Sequence, residues 1–522
     1  MRIFNAGTYT FLAAALCLGT LSGCDSKADT QPPDMVGPAK GPAPTSASAV
    51  WPDEPFRAER PKPGPVPETP QPTLETFTLD NGLEVYLVHQ DILPTVTMNI
   101  SFEAGSVDDP GNKIGRNDLC FDLLSEGTKN LDKVAFETQQ ADHAVSIYSY
   151  GGSESSSIGV SALKDQLGPA LDLLAEMLRE PGMRAEDLDR LRKRNKASVL
   201  QAKGSPSSIS RRVLRSLVWG GKHPYGGITT EKSLSAISLG DCKAVVKKLK
   251  PKGARMFVAG KVTADEIKQA FNTKLGFWKG SAPKSKKVAK AKPGAGTIYL
   301  IHSPGAAQSM ISVATPGPER TAEDYVPTQM MATILGGSFS SRINMNLRED
   351  KGYAYGGRGS FRYYRGGSHF VAGSSVRTDA TGPSLREISK ELAGMRSAPV
   401  TDVELTRERE GALLALPARF ATARRTLSTY SSLVFYGLPL DWYTTYQAEL
   451  KKLDAGAIQK AANDYLPETG YVVLVVGDAE VVYDDLKAIA GEKLFGDGGI
   501  KVLDADGKPT KLPEFSAKPK GD

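Results

Sequence analysis

The chain has 522 residues, of which 24% are charged and 40% hydrophobic, and its formal net charge at pH 7 is +6. This length is enough for about two to four domains with substantial cores. The charge argues against a nucleic-acid partner, because five of the lysines fall within residues 284–292, whereas nucleic-acid binding needs basic residues spread along a folded face.

The N-terminus has the organisation of an export signal. Arg2 precedes an apolar run at residues 10–21, which leads into Leu21-Ser-Gly-Cys24. This resembles a bacterial lipoprotein signal with its lipobox, in which residues 1–23 are removed and Cys24 carries the lipid. The apolar run is too short to span a bilayer comfortably, and a plain signal peptide or short anchor is the alternative. We therefore expect a cell-envelope protein, lipid-anchored to a bacterial membrane and facing the periplasm.

Residues 24–74 are predicted to be a disordered tether. They are rich in Pro, Ala, Ser and Thr, with four prolines within residues 61–67. Such a composition buries too little apolar surface to fold, and its prolines favour extended conformations. The tether would hold the folded part away from the membrane.

Hydrophobic periodicity predicts a first folded unit at residues 75–278. Two strand-like runs flank the turn Asp80-Asn81-Gly82, and residues 96–102 alternate as a third strand. Further predicted elements are helices at residues 166–179, 185–203 and 264–275, and strands at 145–150, 155–160 and 254–262.

A second folded unit is predicted at residues 297–505, after a linker rich in Lys, Ala and Gly at residues 279–296 and before a tail at residues 506–522. It opens with a strand at residues 298–302 and closes with one at residues 472–479, which echoes the closing strand of the first unit. The repeated order of elements predicts two related units.

One short segment, residues 115–128, has the spacing of a metal site. Asp118 and Asp122 are four residues apart, so in a helix they share one face. Two carboxylates without an imidazole or thiolate make a poor zinc site, and Phe121 between them cannot act as a base. The alternative is that both acids form an ordinary solvated helix face.

The context of this segment resembles the insulinase-like (pitrilysin / mitochondrial processing peptidase) zinc metallopeptidase family. The family's H-x-x-E-H motif falls on Asp118, Phe121 and Asp122, and residues 102–110 and 126–128 frame it as the family frames its zinc helix. The resemblance implies an α/β (α+β) fold, with two related insulinase-type units that each pack a mixed β-sheet with helices and together enclose a chamber. It also implies a degenerate zinc motif.

The remaining metal ligand is expected to be missing as well. In active relatives a Glu on a later helix completes the zinc site, but here the helix at residues 185–203 is basic, and after Glu186 and Asp187 its only acid is Asp189. His223 lies in a loop resembling a structural loop of the family, and the other histidines form no cluster. We therefore expect no metal in this chain and zinc in a partner chain.

Residues 335–357 resemble the signature of the family's second unit. In that signature an Arg and a Tyr seven residues apart bind the substrate backbone, and here they are Arg348 and Tyr355. A guanidinium and a phenol are fixed donors that can hold a substrate carbonyl. The alternative is that Arg348 pairs with Glu349 or Asp350 and that Tyr355 only packs.

Two other features have structural interpretations. Gly356 and Gly357 are expected in turns before a strand near residues 368–375, and Arg362, like Arg358 and Arg365, is expected on a strand that lines a peptide chamber or solvent. Cys120 and Cys242 lie in predicted helices, and a single pair in a large exported chain favours buried free thiols over a disulfide.

These observations lead to one main hypothesis and two alternatives. The main hypothesis is a non-catalytic, substrate-binding subunit of a heterodimeric zinc metallopeptidase acting on peptides, whose partner carries an intact H-x-x-E-H. The first alternative is a peptide-binding or assembly module without peptidase activity, since fold does not fix function. The second is a self-sufficient hydrolase that uses Asp118 and Asp122 with another metal.

Overall fold

Two six-stranded β-sheets, one in each half of the chain, form the framework of the fold. The computed structural model describes residues 64, 68–283 and 287–514, and those from residue 68 onward fall in one compact unit. The strands of the first sheet are β1 (Glu75–Thr78), β2 (Glu84–His89), β3 (Thr95–Phe102), β4 (Ser146–Tyr150), β5 (Ser156–Leu163) and β6 (Ala254–Gly260).

The first sheet is mixed, with the strand order β1-β2-β6-β3-β5-β4. β2 and β6 run parallel, and every other neighbouring pair is antiparallel. In β3 the side chains alternate as the sequence predicts: Val96 and Met98 are buried, whereas Thr97 and Asn99 are half-buried on the other face. One face therefore supplies the core and the other remains polar.

Three helices of the first half begin at a capping box. At the starts of α6, α7 and α8, the side chains of Thr230, Ser238 and Thr263 each accept a hydrogen bond from the backbone N–H three residues later. The eight helices are α1 (Arg116–Leu124), α2 (Lys133–Asp142), α3 (Leu167–Arg179), α4 (Ala185–Ala202), α5 (Pro206–Trp219), α6 (Glu231–Ser235), α7 (Leu239–Lys247) and α8 (Ala264–Leu275).

The second half repeats this order. Its strands are β7 (Ile298–His302), β8 (Gln308–Gly317), β9 (Ala354–Tyr364), β10 (Gly367–Arg377), β11 (Val472–Gly477) and β12 (Ile500–Leu503), in the sheet order β12-β7-β11-β8-β10-β9. Its helices are α9 (Tyr325–Ala332), α10 (Arg342–Asn344), α11 (Thr381–Ser397), α12 (Asp402–Leu414), α13 (Ala423–Tyr436), α14 (Trp442–Lys452), α15 (Ala455–Tyr465) and α16 (Ala479–Glu492). The first edge strand differs, because β12 is parallel to β7 whereas β1 is antiparallel to β2.

Each half contributes a helix to the sheet of the other half. Helix α5 packs on β8 and β11 of the second sheet, and α13 packs on β6 and β3 of the first. Strand β11 is buried on both faces: Val473 and Val475 join one core, whereas Leu474 and Val476 join the core that includes Val213 of α5. The α/β (α+β) class with two related units, predicted from the sequence, is confirmed, and the two halves share their cores.

The prediction of free thiols at Cys120 and Cys242 is wrong. The two residues form a disulfide that joins α1 to α7 across 122 residues of sequence, with a Cα–Cα distance of 4.8 Å. Both cysteines are buried. The sequence could not show the bridge, because tertiary packing alone brings these two helices together.

The prediction of turns at Gly356 and Gly357 is also wrong, since both lie inside β9. A Cβ on Gly357 would come within 2.7 Å of the Ile343 side chain. Glycine is therefore required there for close packing of β9 against α10, rather than for a turn.

Candidate functional site

The degenerate zinc segment forms α1, and its two acids lie in different surroundings. Asp118 is exposed, and partial desolvation by the surrounding residues raises its pKa to about 6, helped by the negative charge of Asp122. A Cβ on Gly151 would lie 2.7 Å from the Asp118 Cα, so the connection between β4 and β5 packs directly on this helix. The side chain of Asp122 is 40% exposed.

Phe121 occupies the position of the catalytic Glu in the H-x-x-E-H pattern, and it belongs to the first core. Its side chain is 1% exposed and packs with those of Leu119, Leu123 and other buried residues. A hydrocarbon ring in this position can neither hold a water nor accept a proton.

Guanidinium groups of α4 face α1 where the resemblance would place the third ligand. Arg194 Nη2 lies 3.2 Å from Asp122 Oδ2. Arg190 pairs with Glu126 at the end of α1 and with Asp187 at 2.7 Å. The acid singled out from the sequence, Asp189, pairs with Arg192 at 2.5 Å. A side-chain cation thus balances the Asp122 carboxylate, where an active relative holds a metal ion.

Across the described parts of the chain, no group of three or more His, Cys, Asp or Glu side chains is arranged to hold a metal ion. His223 accepts a hydrogen bond from the Tyr225 backbone N–H and packs against Trp219, as a structural loop residue does. His369, on β10, is buried and accepts a hydrogen bond from the Trp219 indole N–H at 3.2 Å.

Arg348 and Tyr355 both lie on the surface of the second half. Arg348 is in a π-helical segment, Met345–Asp350, a local geometry frequent at functional sites. Its Nε lies 3.1 Å from Glu349 Oε1, and its guanidinium lies 4.9 Å from the centre of the Phe339 ring. Tyr355, at the start of β9, is 88% exposed.

The alternative from the sequence was that Arg348 pairs with Glu349 or Asp350 and that Tyr355 only packs. The structure supports the first part of this alternative and not the second. Arg348 does pair with Glu349, but with side chains 42% and 45% exposed this ion pair is weak and easily exchanged. Tyr355 does not pack into the protein. Among the described residues, no hydrogen bond, ion pair or ring contact joins Arg348 to Tyr355 or either of them to Asp118, so their role in substrate binding stays a prediction.

A basic cavity lies between the two halves, and the sequence alone indicates little of it. It has a volume of about 830 Å³ and is bounded by α4, α5, residues 227–229 and strands β8, β9 and β10. Its charged wall is formed by Arg211, Arg212, Arg215 and Arg362. Only Arg362 was expected to face a chamber. One sequence signal could have indicated the other arginines of this wall: Arg211 and Arg215 are four residues apart on an amphipathic helix.

Comparison with known families identifies the chain. Residues 84–224 match the family described as insulinase (peptidase family M16), and residues 236–412 match the domain described as peptidase M16 inactive domain. Together the two matches cover more than half of the chain. The chain belongs to the insulinase-type M16 peptidase family.

Relatives of this M16 chain include proteins with and without an assigned activity. A protein of Helicobacter pylori named non-peptidase homolog YmxG is 22% identical over 404 residues, which cover 74% of this chain and 89% of the relative. A probable mitochondrial-processing peptidase subunit beta of Schizosaccharomyces pombe is 23% identical over 279 residues, covering 51% of this chain and 60% of the relative.

Solved structures share the fold of this M16 chain. A peptidase M16 inactive domain from Pseudomonas fluorescens superposes with a TM-score of 0.71 at 23% identity, covering 78% of this chain and 98% of that structure. A protease from Helicobacter pylori superposes with a TM-score of 0.70 at 17% identity, covering 78% and 99%.

The predicted lipidation site, Cys24, lies outside the described residues. Within the described ranges, no helix combines the length and the apolar character that crossing a membrane would require.

Proposed function

We propose that this M16 chain is a non-catalytic, substrate-binding subunit of a two-chain zinc peptidase that acts on peptides. The observation that carries the proposal is the state of α1. Phe121 is part of the core, and Arg194 faces Asp122. Arg194 therefore compensates the charge of Asp122 without a metal ion.

The partner in this proposal is a second M16 chain with an intact H-x-x-E-H, which supplies the zinc and the general base. This chain supplies Arg348 and Tyr355. The guanidinium and the phenol donate hydrogen bonds to carbonyl groups of the peptide and so hold its backbone in place. When bound in the partner, the zinc activates the attacking water.

The names of the relatives support this division of labour. The Helicobacter pylori relative is named a non-peptidase homolog, and the Schizosaccharomyces pombe relative is named a subunit of a processing peptidase. The first name supports the absence of catalysis in this chain, and the second supports a role within an assembly.

We further propose that the protein is anchored through Cys24 to a membrane of the cell envelope and faces the periplasm. The Cys120–Cys242 disulfide supports export, because disulfides persist in oxidising compartments such as the periplasm and are rare in the cytosol. The proline-rich sequence before residue 68 would give the folded part reach from the membrane.

A pull-down of the tether-deleted chain from its native extract tests the proposed function. We expect a copurifying M16 chain that contains zinc, with peptide cleavage by the pair and none by this chain alone. If cleavage were found in the lone chain, the self-sufficient hydrolase with Asp118 and Asp122 would replace the proposal.

The second candidate is a peptide-binding or assembly module with no peptidase partner. The name non-peptidase homolog supports this candidate as well, because it describes a relative without peptidase activity. Peptide binding by the purified chain, together with the absence of any M16 chain from the pull-down, would select it over the subunit.

A further inference from the structure

The basic cavity between the two halves is built by side chains from both. On α5, Arg211 and Arg215 are four residues apart and so share one face of the helix. Arg362 reaches the same cavity from β9 of the second half. Arg211 and Arg362 are exposed, and Arg215 is half-buried. The cavity therefore places three guanidinium groups from two separate elements around one space.

Among the described residues these three arginines have no ion-pair partner, and the charge of Arg215 acts on Asp118 only from beyond ion-pair distance. The described residues that line the cavity include neither Asp nor Glu. Two like charges at this spacing destabilise a helix. Because Arg211 and Arg215 have no ion-pair partner and their repulsion destabilises the helix, their presence together indicates a binding role.

Arg212 provides an internal contrast. It lines the same cavity, but its Nη2 lies 3.0 Å from Asp506 Oδ1 and donates a hydrogen bond to the Thr229 carbonyl at 2.9 Å. Lys203 pairs with the same Asp506 at 2.8 Å. Arg212 thus connects the segment around Asp506 to α5, and its charge is already compensated.

The buried wall of the cavity carries a neutral hydrogen-bond donor. Burial, together with the positive charges of Arg362 and Arg215, lowers the pKa of His369 to about 4. Because Trp219 donates to Nδ1 of His369, the proton of the neutral imidazole is on Nε2. Arg362 and Arg215 both lower the pKa of this imidazole, so their charges act on the same part of the cavity.

The remaining lining is largely apolar or hydroxylic. The apolar part of the lining consists of Leu214, Ile228, Met310 and Val371. Hydroxyl groups come from Ser198, Ser207, Ser210, Ser312 and Thr229. A volume of about 830 Å³ exceeds what a single small anion needs, and it lies within the range of about 300–1,000 Å³ typical of ligand pockets. The chemistry fits a ligand that carries both carboxylates and apolar groups.

We propose that this cavity binds acidic peptide segments, with Arg211, Arg215 and Arg362 as the residues that bind side-chain carboxylates. The apolar wall receives the hydrophobic side chains between those carboxylates. The proposal rests on the proposed function, because it names the class of peptide that the substrate-binding chain selects. Guanidinium groups suit it, since they bind carboxylates in a bidentate fashion.

The first test compares peptides on the intact protein by fluorescence anisotropy. The probes are dye-labelled hexapeptides with blocked ends, in which leucines alternate with glutamates, glutamines or lysines. We expect the glutamate peptide to bind at least about tenfold more tightly than the glutamine peptide, with an affinity that falls as salt rises. Equal affinities would overturn the acidic preference but leave peptide binding standing.

The second test changes the cavity. The double variant Arg211→Gln/Arg215→Gln should lose at least about tenfold in affinity for the glutamate peptide and keep its affinity for the glutamine peptide. The matched control, Lys243→Gln/Lys247→Gln, removes the same charge from exposed positions on α7 and should bind like the unmodified protein. An equal loss in both double variants would overturn the site.

The two tests separate the inference from the proposed function. If no peptide binds and the copurified pair cleaves none, the proposed function fails and the inference fails with it. If inorganic phosphate binds in the cavity while no peptide does, the site serves small anions, and the acidic-peptide proposal is overturned. The peptide comparison needs no variant, so a folding defect in the variants cannot obscure it.

Discussion

At the scale of single residues, one ion pair accounts for the state of the degenerate site. Arg194 of α4 lies 3.2 Å from Asp122, which would be a ligand position in an active relative. Both side chains are about half exposed, so the pair adds little to stability. Its effect is on function, because a guanidinium beside the carboxylate competes with any metal cation for that oxygen.

Asp118 predicts a dependence of stability on pH. Its pKa in the folded protein is raised to about 6 from an ordinary 3.8, so between these values the folded state binds more protons than the unfolded state. Stability should therefore fall as pH rises through this window. We expect Asp118→Asn to raise the melting temperature at pH 7.5 relative to the unmodified protein and to leave it nearly unchanged near pH 3.5.

The measurement is differential scanning fluorimetry of both proteins across this pH range. Asp172→Asn is the control, since Asp172 is also exposed, has a partner in Lys274, and its removal should not stabilise the protein. A constant difference in melting temperature between Asp118→Asn and the unmodified protein at all pH values would contradict the raised pKa.

Arg348 predicts a defect in catalysis by the assembled pair. If Arg348 holds the substrate backbone, Arg348→Ala should lower kcat/KM for peptide cleavage by about ten- to a hundredfold through loss of a charge-assisted hydrogen bond. The two chains should still copurify. The matched control is Arg377→Ala, because Arg377 is also exposed and paired with a neighbouring acid, Asp379.

Unchanged kcat/KM in Arg348→Ala would remove Arg348 from the site. An equal loss in Arg377→Ala would show that the effect is a general one of surface charge.

At the scale of elements, α1 is held by a covalent bond to α7 and by an ion pair to α4. An active relative ties its zinc helix to a later helix through the metal. Here the Cys120–Cys242 bridge joins α1 to α7, and the Arg194–Asp122 ion pair connects it to α4. The site has lost its metal ligands while the helix keeps a defined position.

Removal of the disulfide should destabilise the protein. The bridge spans 122 residues, and loss of a native disulfide costs about 2–5 kcal/mol in the free energy of unfolding. Denaturant titrations of oxidised and reduced protein measure the difference. Identical midpoints, or two titratable thiols in the unreduced folded protein, would contradict the bridge.

The secondary-structure elements could be predicted from the sequence better than the tertiary contacts. Strand β3 and the helices capped by Ser238 and Thr263 follow local patterns of alternation and capping, so they could be predicted. The positions of the degenerate motif could also be found from the family resemblance. The disulfide and the arginine cavity could not, because each depends on residues more than a hundred positions apart that only the tertiary fold brings together.

At the scale of the whole molecule, the two halves are interlocked. Helix α5 packs on the second sheet and α13 on the first, so each half would expose part of a core without the other. The basic cavity is a consequence of this exchange, since α5 forms one wall and the second sheet another.

The interlock predicts that the halves unfold together. Trp219 of α5 is 6% exposed and contacts Tyr225, Tyr364 and His369, so Trp219→Ala should cost about 3–5 kcal/mol. Calorimetry should show a single transition that moves to lower temperature as a whole. The control Leu200→Ala, at an exposed position of α4, should change stability by less than about 0.5 kcal/mol. Two separate transitions, with only one shifted, would contradict the shared cores.

The zinc content of the purified chain and of its copurified complex, measured alongside peptide cleavage, distinguishes a non-catalytic subunit from a self-sufficient hydrolase. We expect no zinc and no cleavage in the chain alone, and zinc with cleavage in the complex. Stoichiometric zinc and cleavage in the lone chain would contradict this expectation, since Asp118, Phe121 and Asp122 would then belong to a working metal site.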